Sequence, residues 1–181
     1  MITDYALRLS ENQTAAGTAG AVTDHIIDLL QARNIALGEA LYAVITITTT
    51  FASSGVDDPQ IQWAFYASDV ATKADSSVAH QLGASSIYSC NVASLLPRNL
   101  QKGQKITVPL VPITNYAIDT ASLADPITSK GRRYIYGGFS VVGGVQFTAG
   151  TFSIDICTQA MLGGTASTSD VPIYPKSYTV Q

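Results

Sequence analysis

From Leu41 to Thr50 the chain alternates with a period of two. Leu41, Ala43, Ile45 and Ile47 fall on one face and Tyr42, Val44, Thr46 and Thr48 on the other, which predicts a half-buried strand. Gln60 to Ser68 repeats the pattern, with Ile61, Trp63, Phe65 and Ala67 inward against Gln62 and Tyr66. The single tryptophan is therefore expected in the core. Gln104 to Leu110 sets Ile106, Val108 and Leu110 against Lys105 and Thr107, and Pro109 marks an edge or a strand end because it cannot donate to a ladder. Arg133 to Val142 turns Ile135, Gly137, Phe139 and Val141 one way and Tyr134, Tyr136 and Ser140 the other. Thr151 to Thr158 sends Phe152, Ile154 and Ile156 inward. Glycines at both ends of the 143–150 link supply the backbone freedom that a hairpin corner needs.

Weaker strands are expected near Ile26 to Leu29, Ala79 to Leu82 and Ile87 to Val92. Thr23 to Arg33 is the best helical candidate and fits a strand as well. About eight short strands separated by turn signals, with no crossover helix, predict an all-β fold, an antiparallel sandwich of jelly-roll form. Three segments break the rhythm: a turn-rich loop from Phe51 to Pro59, a long connection from Ile113 to Arg132, and a tail from Met161 to Gln181. That tail begins as a Gly, Ser and Thr linker and ends as an extended arm held open by Pro172 and Pro175. The expected division is a domain over 1–160, including an N-terminal arm, and a linker and C-terminal arm over 161–181.

Composition changes the picture in one respect. Hydrophobic residues make up 46% of the 181 positions and charged residues only 13%, about half the usual share, so part of the surface is expected to be covered by neighbours. Ten Lys and Arg scattered along a chain of net charge −3 give no footprint for a polyphosphate, and nucleic acid is not an expected partner. The apolar runs fall short of the roughly 20 residues that cross a bilayer, and Asp4 without a basic, then apolar, leader argues against a signal peptide. A soluble chain made in the cytoplasm, with no membrane partner, is the expectation. Cys90 and Cys157 stand alone in strand-like sequence and are expected as reduced thiols packed as small hydrophobes, with a disulfide between them as the alternative. They lack the spacing and the histidine neighbours of a metal site.

Candidate chemistry is sparse. His25 lies in an apolar stretch and His80 among small residues, and no serine sits in a nucleophile elbow. Asp57 and Asp58 precede Pro59, where aspartate serves turns, with a cation-binding loop as the alternative. The glycine pairs 137–138, 143–144 and 163–164 carry no following Lys-Ser/Thr. Nine tyrosines without interleaved basic residues suit packing and interfaces better than base stacking. No catalytic residue, cofactor or metal is expected.

The segments MITDYALRLSENQ and DHIIDLLQARNIALGEALYAVITI resemble the opening of the capsid cement (decoration) proteins of tailed bacteriophages, Bordetella-phage type. Ile27-Asp28-Leu29, Arg33-Asn34-Ile35, Gly38-Glu39 and Leu41-Tyr42 stand at the places of that family's motifs. QIQWAFYASDVA, KITVPL and RRYIYGGFSVVGGVQFTAGTFSIDI continue the likeness in order, so that it covers Met1 to Ala160. Leu30 stands where the family has glycine, Asn34 where it has aspartate and Ala40 where it has proline. The resemblance implies a jelly roll that clamps the outside of an icosahedral head, bridges major capsid protein subunits as a homo-oligomer, dimer or trimer, and carries no catalytic residues.

On that reading the candidate partner contacts are Ile2, Tyr5, Leu7 and Leu9 of the N-terminal arm, Phe51, Asp57 and Asp58 of the turn-rich loop, and Ile173, Tyr174 and Tyr178 of the C-terminal arm. The competing expectation is a carbohydrate-binding or receptor-binding jelly roll of a phage particle, with Trp63 or the tyrosines stacking on sugar.

Overall fold

The computed structural model describes residues 7–33, 40–54, 58–68, 70–71, 79–90, 100–111, 132–142 and 145–158. Within them the chain is all-β. Ten strands run in the order β1 (Arg8–Thr14), β2 (Gly20–Val22), β3 (Ile27–Arg33), β4 (Leu41–Ala52), β5 (Gln60–Ser68), β6 (Ala79–Ala84), β7 (Tyr88–Ser89), β8 (Lys105–Leu110), β9 (Arg132–Val142) and β10 (Ala149–Thr158). A first sheet has the order β1-β10-β4-β8. A second has the order β2-β9-β5-β6, with β3 also on β9 and β7 also on β5. Every strand pair is antiparallel, and a single parallel bridge joins Ala16 to Phe147. No helix among these residues is long and apolar enough to cross a membrane.

The alternation predicted for β5 and β8 holds, whereas in β4 and β9 the outward residues Val44 and Tyr136 are buried as well, at 2% and 3% exposure. In β5, Ile61, Trp63, Phe65 and Ala67 are all fully buried, and in β8 buried Ile106, Val108 and Leu110 alternate with exposed Lys105, Thr107 and Pro109. Pro109 sits on the outermost strand of its sheet, where a missing N–H costs no ladder bond. The inward faces of the two sheets share one core. At its centre Trp63 and Phe139 of the second sheet stand edge-on to Phe152 of the first, at ring separations of 5.4 and 5.3 Å. The buried indole nitrogen of Trp63 has no hydrogen-bond partner, a cost of about 1–3 kcal/mol that the aromatic packing must offset.

Four expectations change. The 143–150 link is not the corner of a hairpin, since β9 lies in the second sheet and β10 in the first and the two do not pair. Thr23 to Arg33 is not a helix: it holds the approach to β3, and Ile27 pairs with Ile135 of β9. The N-terminal arm expected near Ile2 to Leu9 runs at its end into edge strand β1, Arg8 to Thr14, for which no strand is expected from the sequence, and Leu9 is fully buried in the core. Phe51 belongs to β4 rather than to the following loop, and it is 3% exposed. The inward parity of Ala43, Ile45 and Ile47 carries on to position 51 past an exposed Thr49, helped by register shifts where β4 meets β10. Most of the 113–132 connection and all of 161–181 lie outside the described residues, as does the 91–92 end of the weak strand expected near Ile87.

Candidate functional site

The registers bring many of the chain's exits to one end of the fold. In the first sheet Leu41, which starts β4, lies beside Thr158, which ends β10, and beside Leu110, which ends β8. Arg8, at the start of β1, pairs with Asp155 of the same β10 segment. In the second sheet Ser68, which ends β5, lies between Tyr134 near the start of β9 and Ala79 at the start of β6, and Asp28 of β3 pairs with the same Tyr134. One bond ties the two sheets near that end: the N–H of Val111, just past β8, donates to the carbonyl of Leu82, three residues into β6, at 2.7 Å. The chain thus enters β1, leaves β3, enters β4, leaves β5, enters β6, leaves β8, enters β9 and leaves β10 at a common end.

That end carries apolar surface. Leu30, Val70 and Val111 are 79%, 41% and 62% exposed, and they are three of the five large hydrophobic side chains that stand open to solvent among the described residues. Leu30 is also strained. Its φ of +67° lies in the left-handed region, where a branched side chain crowds its own backbone at a cost of roughly 1–2 kcal/mol. Asp28 holds it there: carboxylate oxygen Oδ1 accepts the Leu30 N–H at 2.7 Å. The same carboxylate takes a two-pronged hydrogen bond from Arg133, with Nε and Nη2 both at 2.7 Å, and the guanidinium lies 5.0 Å over the Tyr134 ring. These bonds, from Arg133 first and then from the Leu30 amide, hold the Asp28 carboxyl below its ordinary pKa.

The opposite end is closed by aromatic packing. Phe51 stands edge-on to Phe147 at 5.0 Å and stacks toward Phe152 at 6.5 Å. Asp58 lies at this end, half-buried. One of its carboxylate oxygens accepts the hydroxyl of buried Ser89 and the other the amide of Gln60 at 3.4 Å, so it ties the start of β5 to β7.

The expected contact residues therefore separate. Leu7 is half-buried and packs against the core, while Leu9 and Phe51 lie inside it and present no side-chain surface to a partner. Asp58 spends its carboxylate within the fold. Ile2, Tyr5, Asp57, Ile173, Tyr174 and Tyr178 lie outside the described residues. Trp63 is fully buried and offers no ring face to a sugar. Cys90 and Cys157 are both free thiols. Among the described residues no three His, Cys, Asp or Glu side chains gather to hold a cation. Sequence reasoning missed Leu30 as an exposed residue, since an apolar side chain at the end of the run Ile26-Ile27-Asp28-Leu29-Leu30 looks like a continuation of the core. The signal available was Asp28 itself, an aspartate placed to cap a turn two residues on.

No family model matches the chain, and no curated protein matches it.

Proposed function

We propose that this chain is a structural virion protein: a jelly-roll cement protein that binds the outer surface of a bacteriophage head and bridges neighbouring major capsid subunits as a homo-oligomer. The observation that carries the reading is the common end. The approach to the N-terminal strand and the exit of the last strand lie together there, beside exposed Val70 and Val111. Segments 1–6 and 159–181 can then act on one neighbouring surface, while the paired sheets serve as a rigid spacer. The motif resemblance over Met1 to Ala160 and the low share of charged residues support the same reading.

The mechanism needs no chemistry. A filled head pushes outward on its shell, and a protein that binds two adjacent subunits only in their assembled arrangement stabilises that arrangement by mass action. Two linked contacts bind far more tightly than either alone. The experiment is a heat challenge of purified heads stripped of this protein. Adding it back raises the temperature at which the heads release DNA. An unchanged release temperature at saturating protein would refute the reading.

A further inference from the structure

The second sheet carries a trough across its outer face. Gly138 of β9, Ala64 of β5 and Ala84 of β6 are direct cross-strand neighbours, so the outward row they form has almost no side chain. The next outward row on one side is Tyr136, Tyr66 and Gln81, where the two tyrosine rings stack at 5.5 Å. On the other side stand Ser140 and Gln62. The two ridges flank a floor of small residues in an open hollow of about 520 Å³, and no charged residue lines it.

The same sheet carries, at its β3 edge, the strained Leu30. Its side chain is the most exposed large hydrophobe among the described residues, and its backbone occupies a conformation that glycine would adopt without penalty. Its neighbours are already neutralised, because Asp28 and Arg133 satisfy each other. A surface that approached Leu30 would meet an apolar knob and a paired charge, with no unpaired ion to desolvate.

We infer that Leu30 of one copy inserts into the trough over Gly138, Ala64 and Ala84 of a second copy, and that this knob-in-trough contact makes the homo-oligomer. A second copy is the occupant that the surface itself specifies. The hollow is uncharged and apolar-floored, and its complement stands on the same chain at equal concentration. A knob and a hollow at different places on one chain join copies either reciprocally, as a closed pair, or head to tail, as a ring. Gln62 and Gln81 border the trough with amide groups able to hydrogen-bond the Asp28 and Arg133 pair as it arrives.

The inference deepens the cement reading by naming the contact between copies, and it can fail alone, because self-association is measured on the purified chain and head binding on heads. Light scattering after size-exclusion chromatography gives the mass of the wild-type chain, Leu30→Gly, Leu30→Asp and Ala84→Glu. Leu30→Gly relieves the backbone, so at a dilution where the wild type is also dissociated its thermal midpoint should equal or exceed that of the wild type, and a loss of association cannot be ascribed to misfolding. The wild type is expected as a discrete oligomer, and each variant should dissociate roughly tenfold or more readily. Mixing Leu30→Cys with Gln81→Cys protein under mild oxidation should give a disulfide between positions 30 and 81 of different chains, identified by peptide mass. A wild-type monomer at all concentrations, Leu30→Gly of unchanged association, or absence of that cross-link would overturn the inference. So would a glycan that binds the wild type and loses affinity with Ala84→Glu, since it would show the trough to be a sugar site.

Discussion

Gly150 lies directly against the ring of Phe51: a Cβ at position 150 would come within 2.6 Å of Cγ and Cδ1 of that ring. The φ of Gly150 is +142°, a region L side chains rarely adopt, and its carbonyl accepts the N–H of Ala15 at 3.0 Å. Gly150→Ala should therefore destabilise the fold by about 2–4 kcal/mol through combined clash and backbone strain. Thermal unfolding followed by circular dichroism should show a drop of roughly 5–15 °C for a domain of this size. A shift under 2 °C would mean that the ring moves aside at little cost.

The Asp28 and Arg133 pair predicts a specific pH dependence. Because the folded-state pKa of Asp28 is depressed, the pair contributes in full above the unfolded aspartate value, about 4, and its contribution is lost as pH falls through the lower folded value. The gap in thermal midpoint between wild type and Asp28→Asn should stay constant from pH 8 to about 5 and close at lower pH. Both side chains are more than a third exposed, so added salt should narrow the gap as well. A gap that persists to pH 2 would show that the carboxylate charge is not what matters.

Cys157 should be inert in the native protein. Burial first, and then the neighbouring Asp155 carboxylate, push its thiol up to about 11, against a smaller opposing effect from Lys105. Thiolate is the reactive form, so at pH 8 an aromatic disulfide reagent should label Cys157 only as fast as the protein unfolds, and guanidinium should release full labelling. Since the folded value is raised, the neutral thiol favours the native state fully below pH 9, and that contribution is lost as pH rises toward 11. Rapid native labelling of the peptide holding Cys157 would contradict this account.

The strands legible in the sequence were those with a buried face of large side chains. Ile61, Trp63, Phe65 and Ala67, or Ile106, Val108 and Leu110, alternate because one side of their sheet is covered and the other is not. β1 was illegible for the converse reason. It lies at a sheet edge, breaks register twice, turns through Asn12 at a φ of +51° and commits only Leu9 to the apolar core, so Arg8 to Thr14 shows no period-two face of large side chains. Tyr136, expected outward, does project from the outer face of its sheet but is 3% exposed, because it stacks on Tyr66. The common end and the trough depend on which strands are neighbours, and period-two patterning carries no information on strand order. Leu30 was hidden by the opposite fault: its hydrophobicity fits a buried position, and the turn-capping Asp28 two residues before it is a weak signal beside the backbone angle and 79% exposure that the structure shows.

The most direct test of the central claim is cosedimentation of the purified full-length chain with purified phage heads, counting copies bound per shell subunit as the protein is titrated. The account predicts saturable binding at a fixed ratio, and weaker binding by a folded variant lacking Val171 to Gln181. Binding that never saturates, or no binding at all by the folded full-length chain, would contradict it.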